Sequence, residues 1–138
     1  MSLPPTKRSF SDMHSGSCLC GAVRFTLPSI LPAPEACHCS MCRKTTGHFF
    51  VSVEVQKVDV QMTGVDPVTW YTSSEKVRRG FCGKCGSTLF FEPIFHTWTA
   101  VAAGCLDEPI AAPISRHIFV ADKGAYYEIL DDAPQKLQ

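Results

Sequence analysis

Cys37-His38-Cys39-Ser40-Met41-Cys42-Arg43-Lys44-Thr45-Thr46-Gly47-His48 packs three thiols into six residues and follows them with two cations, a glycine and a histidine. Two more groups bracket it, Cys18-Leu19-Cys20-Gly21 before and Cys82-Gly83-Lys84-Cys85-Gly86 after, so seven of the eight cysteines fall in three clusters. Thiols two or three residues apart on a tight turn can point at one centre, which is metal-ligand spacing. Gly21, Gly83 and Gly86 suit such turns, since backbone N–H groups must approach the sulfurs and glycine tolerates the φ required. Structural zinc takes a closed shell of four ligands, whereas catalytic zinc keeps three protein ligands and one open position. Seven thiolates divide as four plus three. The division adopted joins Cys18 and Cys20 to Cys82 and Cys85 as a four-cysteine staple. It leaves Cys37, Cys39 and Cys42 as an open site, so that two Zn2+ per chain are expected.

Other readings of the same thiols stand beside this one. Disulfides are disfavoured in a reduced compartment. A redox pair at Cys82 and Cys85 lacks the βαβ pattern that would surround it. Two purely structural zinc sites are the third alternative, with His38 or another side chain closing the second shell. His38 lies between Cys37 and Cys39, and in extended backbone it would point away from both. Cys105, alone between Gly104 and Leu106, reads as a small buried residue.

Outward from the cysteines, the chain has the texture of short strands separated by turns. Val23, Phe25 and Leu27 alternate with Arg24 and Thr26, the period of a half-buried strand. Prolines 28, 32 and 34 mark a loop. Phe49 to Val55, Val58 to Met62, Trp70–Tyr71, Thr88 to Phe91, Trp98 to Ala102 and Ile114 to Val120 read as further strands, with a turn from Gly64 to Pro67. Only Ser40 to Thr46 offers a helical turn, with Ser40 as N-cap and Gly47 as stop. The expected fold is therefore mainly β, small antiparallel sheets with little helix and with cysteines on the connecting turns. Its 138 residues suit one domain, assigned to residues 13–132 between an N-terminal tail at 1–12 and a C-terminal tail at 133–138.

Hydrophobic residues at 45% and charged residues at 19% allow a buried core and exclude a disordered charged segment. Thirteen Lys plus Arg balance thirteen Asp plus Glu, which disfavours nucleic acid as a partner. No apolar run approaches the roughly 18 to 20 residues that span a bilayer, and residues 1–13 lack the apolar stretch of a signal peptide. No membrane association and a cytoplasmic location are expected.

The order G-x-C-x-C-G at Gly16 to Gly21, C-H-C-x-x-C-R-K-x-x-G at Cys37 to Gly47, and F-C-x-x-C-G-S at Phe81 to Ser87 resembles the glutathione-dependent formaldehyde-activating enzymes, a family that also includes centromere protein V-like proteins. Gly104 to Pro109 and His117-Ile118-Phe119 look like that family's C-terminal half, so the likeness runs from about Gly16 to Asp132. It implies a β-tent fold. It also implies structural zinc on Cys18, Cys20, Cys82 and Cys85 and catalytic zinc on Cys37, Cys39 and Cys42. The implied activity joins formaldehyde to glutathione as S-hydroxymethylglutathione, a carbon–sulfur lyase reaction in reverse. Glutathione or another small thiol, together with an aldehyde, are the implied partners.

A sulfur-rich zinc suits an incoming thiolate as fourth ligand better than water activation. The substrate thiol would attack an aldehyde carbon held nearby. Arg43, Lys44 or a backbone N–H of the Ser40 to Gly47 turn is the expected oxyanion partner, and His48 the nearest acid or base. Lys76, Arg78 and Arg79 could receive carboxylates of a peptide-like thiol, although such a run more commonly forms a solvated strand face. Phe49, Phe50, Trp70 and Trp98 could wall a pocket, with core packing as their first role. A non-catalytic zinc-binding interaction module is the competing function.

Overall fold

The computed structural model describes residues 13–138; the expected N-terminal tail at 1–12 lies outside the described residues. The strands, in chain order, are β1 (His14–Ser17), β2 (Arg24–Leu27), β3 (Glu35–Cys37), β4 (Phe50–Gln56), β5 (Gln61–Met62), β6 (Thr69–Thr72), β7 (Val77–Phe81), β8 (Thr88–Pro93), β9 (Trp98–Ala102) and β10 (Arg116–Ile118). One helix, α1 (Ser40–Thr46), sits between β3 and β4. Strands β1, β2 and β5 make a three-stranded antiparallel sheet, and the rest make a seven-stranded sheet in the order β10-β3-β4-β9-β8-β7-β6. The fold is mainly β with one short helix, as the sequence indicates. The exception to antiparallel pairing is β3 with β10, which run parallel.

The core lies between the sheets. Val23, Phe25 and Leu27, whose alternation marks β2, are buried against Val53, Val55, Leu89, Phe90 and Val101 of the larger sheet. The Phe25 and Phe90 rings meet with centroids 5.3 Å apart. Full burial of each such side chain is worth about 1.5–3 kcal/mol, and a strand one residue out of register would lose all of them at once. Between β7 and β8 the register shifts at Gly80 and Phe81: Gly80 pairs with Phe90 and Phe81 with Thr88. Leu89 is passed over, and Leu89 and Phe90 are both buried in that core.

The opposite face of the seven-stranded sheet builds the cleft. Along β4, Phe50, Ser52 and Glu54 alternate with Val51, Val53 and Val55. Directly opposed residues share a face, so Cys37 joins Phe50, Ala100 joins Glu54 and Phe91, and Arg79 joins Phe91 on the side away from the core.

Several local expectations change. The run Val58 to Met62 is a one-turn 3-10 helix at Lys57–Asp59 followed by the two-residue β5. Ile114 to Val120 narrows to β10 and a 3-10 turn at Val120–Asp122. Helix α1 is capped by Cys39 rather than Ser40: the Cys39 sulfur accepts from the Cys42 N–H, and Gly47 ends the helix at φ 84°. The stretch 133–138, assigned as a tail, runs beside β10. His117 N–H donates to Pro134 O, Lys136 N–H to His117 O, and Val120 N–H to Lys136 O.

Candidate metal centres

Cys18 and Cys20 sit on the turn joining β1 to β2, and Cys82 and Cys85 on the turn joining β7 to β8. One hairpin belongs to each sheet, so this cluster fastens the two sheets at one end. The four sulfurs lie within 4.8 Å of one another, with Cys18 to Cys20 at 3.6 Å and Cys20 to Cys82 at 3.8 Å. Backbone N–H groups converge on them: Val23 donates to the Cys18 sulfur at 3.3 Å and Lys84 to the Cys82 sulfur at 3.4 Å. Gly21 and Gly86 take φ of 81° and 80°, a conformation that disfavours any residue with a Cβ. Gly83 serves differently: a Cβ there would strike the Thr69 hydroxyl at 2.7 Å. The Leu19 N–H donates to the Ser87 hydroxyl at 2.9 Å, tying one turn to the other. The same hydroxyl, with its backbone N–H, holds the Cys85 thiol down to about 5.

The second cluster comes from one stretch. Cys37 ends β3, Cys39 caps α1 and Cys42 lies in its first turn, and their sulfurs also lie within 4.8 Å of one another. All eight cysteines are unbridged. The neighbouring Cys39 sulfur raises the Cys37 thiol, and by the same contact Cys37 lowers Cys39. Each cluster could hold a metal ion; the first is four-sided and the second has three sides.

The open side of the three-cysteine cluster faces a cleft of about 370 Å3. Met41, Phe50, Phe91, Trp98 and Ile118 wall it with apolar surface. Phe119 stands at its lip, held in left-handed backbone at φ 54°, a conformation costly for an aromatic residue and associated with functional sites. Arg79 reaches in from β7. It is only 7% exposed; its Nη1 lies 3.6 Å from the Cys42 sulfur, its guanidinium carbon 5.1 Å from the Phe91 ring centre, and its Nε has no hydrogen-bond partner. A guanidinium so placed favours the thiolate forms of Cys42 and Cys39.

Arg43 and His48, expected beside the reacting groups, do not line this cleft. Arg43 follows Cys42 by one helical position, about 100° around the axis, so it cannot share the direction of the Cys42 sulfur; its charge is felt at Tyr127 instead. His48 lies past the Gly47 turn, where its Nδ1 meets the Tyr126 hydroxyl and its ring packs on Phe49. Of the basic run, Lys76 is exposed, Arg78 pairs with Glu92 at 2.7 Å and covers Trp70, and only Arg79 enters the cleft. Phe50 and Trp98 are cleft walls, while Trp70 lines a separate hollow near residues 57–68.

His38 points to the other side of the strand, as alternation requires, and is fully buried. Its Nδ1 lies 2.5 Å from the Tyr127 hydroxyl and its Nε2 2.9 Å from His117 Nδ1, and His117 Nε2 meets the Asp131 carboxylate at 3.0 Å. Burial, then the positive fields of His117, His48 and Lys123, lower the His38 ring to about 4. With the His38 ring neutral, one of its nitrogens carries the proton and the other accepts, so the Tyr127 hydroxyl and His117 take complementary roles on its two sides. This chain of contacts fixes the backbone that carries Cys37 and Cys39, and engages both nitrogens that a metal-binding His38 would need. Cys105 donates to the Thr88 carbonyl at 3.4 Å and packs against the core and against the cleft's apolar cluster, outside both thiol groups.

Among the described residues no helix is long and apolar enough to cross a membrane. The family model of the glutathione-dependent formaldehyde-activating enzyme matches residues 13–122. A Halomonas elongata protein named as a candidate glutathione-dependent formaldehyde-activating enzyme is 31% identical over 124 residues, covering 83% of this chain and 79% of that one. An uncharacterised lyase of Schizosaccharomyces pombe is 36% identical over 81 residues, 56% of each chain. The crystal structure of a Rhodobacter sphaeroides protein superposes with a TM-score of 0.59 at 21% identity, over 70% of this chain and 91% of that one, a likeness of fold.

Proposed function

We propose, from the premise that this chain belongs to the glutathione-dependent formaldehyde-activating enzyme family, that it is a zinc-dependent carbon–sulfur lyase acting on the adduct of a thiol and an aldehyde. The adduct is that of formaldehyde with glutathione or a related small thiol. The observation that carries this reading is three convergent thiols in the wall of an apolar cleft, with a buried, half-satisfied guanidinium against one of them.

Both donor sets fit zinc. A Zn–S bond of about 2.3 Å gives a tetrahedral S···S edge of about 3.8 Å, close to the 3.6 and 3.8 Å within the four-cysteine cluster. Cys18, Cys20, Cys82 and Cys85 would hold a structural ion, and Cys37, Cys39 and Cys42 an ion with one side open. Zinc bound by these three supplies a position at which a substrate thiol is stabilised as thiolate.

The protein's own groups do the rest. The apolar walls exclude water and hold the aldehyde carbon within reach of the sulfur. As the sulfur–carbon bond forms, the carbonyl π electrons move to oxygen, and the positive charge of the Arg79 guanidinium stabilises the growing negative charge. The proton released by the thiol ends on that oxygen, giving R–S–CH2–OH; the reverse sequence is the lyase direction. His38, held neutral and turned away, positions Cys37 and Cys39 and takes no proton from substrate.

Exchange NMR on labelled formaldehyde and thiol, with zinc-loaded protein, tests the reading. The adduct forms spontaneously, so only a rate above the uncatalysed exchange counts. Wild type should speed exchange and Cys37→Ser should not. Two zinc ions per chain with no acceleration for any thiol would make this a non-catalytic zinc-binding module.

A further inference from the structure

The charges around the cleft narrow the thiol that it can take. Among the described residues Arg79 is the one cation in its lining, and that charge is committed at the Cys42 end. The other charged residues of the lining, among those described, are Glu35, Glu54 and Asp122. Glu35 is neutralised by Arg116 at 2.8 Å. Glu54 and Asp122 are exposed and, among the described residues, neither side chain has an ion pair or hydrogen bond. Glu54 lies four residues along β4 from Phe50, the residue paired with Cys37. At about 3.3 Å per residue that is roughly 13 Å of strand, so this carboxylate stands at the far end of the cleft from the thiols. Trp98 is its diagonal neighbour on the same face, because Glu54 pairs with Ala100.

An apolar channel thus runs from the three thiols to a mouth with an unneutralised carboxylate, Glu54, and an indole, while Asp122 follows Ile118, the partner of Cys37, at the thiol end. Resting on the lyase reading, we infer that the thiol accepted here has an apolar body and a cationic end, and carries no carboxylate. The cation would sit between the Trp98 ring and Glu54, where the ring quadrupole and the carboxylate attract it together. A thiol with a carboxylate at its far end would bring it to Glu54, where no cation of the described lining receives it, and like charges so placed are repelled. Glutathione, with two carboxylates against one ammonium, is on the wrong side of this balance.

Thiols of equal length separate the cases. The exchange rate with formaldehyde is measured on zinc-loaded protein for (6-mercaptohexyl)trimethylammonium, 6-mercaptohexanol, 6-mercaptohexanoate and glutathione. The quaternary ammonium is used because it cannot itself condense with formaldehyde. The expected order in kcat/KM is ammonium, alcohol, carboxylate, with about tenfold between the first and the last, a gap that added salt narrows. The Glu54→Gln variant should shrink the ammonium-to-alcohol ratio. As a readout that needs no turnover, hexyltrimethylammonium should shift the Trp98 indole resonance at concentrations where hexanoate does not. Equal or faster exchange of the carboxylate thiol or of glutathione overturns this inference and leaves the lyase standing. No acceleration for any thiol, with two zinc ions bound, overturns the lyase reading and this one with it.

Discussion

Arg79 is the residue on which the proposed chemistry turns, and it is the one that its neighbours conceal. Lys76-Val77-Arg78-Arg79 reads as a charged surface run, yet in a strand Arg78 and Arg79 must face opposite ways, and here one covers Trp70 while the other enters the cleft. Placing a strand on this segment would have required one of the two arginines to turn inward; which one depends on pairing with β8, which no local pattern fixes. Arg79→Met should leave both metal sites filled and lower kcat about a hundredfold with little change in KM, and Arg79→Lys should restore part of the loss. A KM effect alone, read in steady-state kinetics, would place Arg79 in binding rather than in stabilising the reacting oxygen. His38 carries the second prediction at this scale. Its folded value near 4 lies below the ordinary histidine value near 6.5, so between those limits the unfolded chain binds a proton that the folded chain refuses. The contribution of the neutral ring to stability is therefore whole above about pH 6.5 and is lost as pH falls towards 4. Nitrogen chemical shifts of the His38 ring should report a neutral imidazole through most of that window; a ring that titrates near 6.5 would contradict a His38 held neutral by burial.

Among the elements, the turns carry more of the fold than the strands do. The cysteine spacing makes the two clusters readable, because the thiols that converge lie only two or three residues apart along the chain. Strands β2, β4, β8 and β9 are readable from alternation or β-branched runs. Strand β3 is not: three residues containing a cysteine have no pattern of their own, and its identity comes from β4 and β10 on either side. The strand-like course of residues 134–137 beside β10 is equally invisible, since Asp132-Ala133-Pro134 has the composition of a loose end and only the partner's free backbone edge recruits it. The two clusters should differ in what their loss costs. Cys85→Ser opens the staple between the sheets and should lower stability by more than about 3 kcal/mol or abolish folding. Cys37→Ser, on one local stretch, should cost about 1 kcal/mol while removing one metal ion. Denaturant titration with metal counting checks both, and equal losses would contradict the division of labour between the clusters.

For the molecule as a whole, one sheet does two jobs. Its core face, rich in Val, Phe and Leu, packs on β2, and its other face, with Phe50, Phe91, Ala100 and Arg79, stays open as the cleft. The staple sits at one end of this stack and the three-thiol cluster on the open face, so a strained and half-satisfied site is supported by a framework fastened elsewhere. The most direct test of that arrangement is cobalt substitution. Protein reconstituted with Co2+ should bind two ions per chain, and adding a small thiol should change the sulfur-to-metal absorption and ligand-field bands of one ion only, with that response absent in Cys37→Ser. Two ions that both ignore added thiol would mean that the three-cysteine site is closed, and the lyase account would fail.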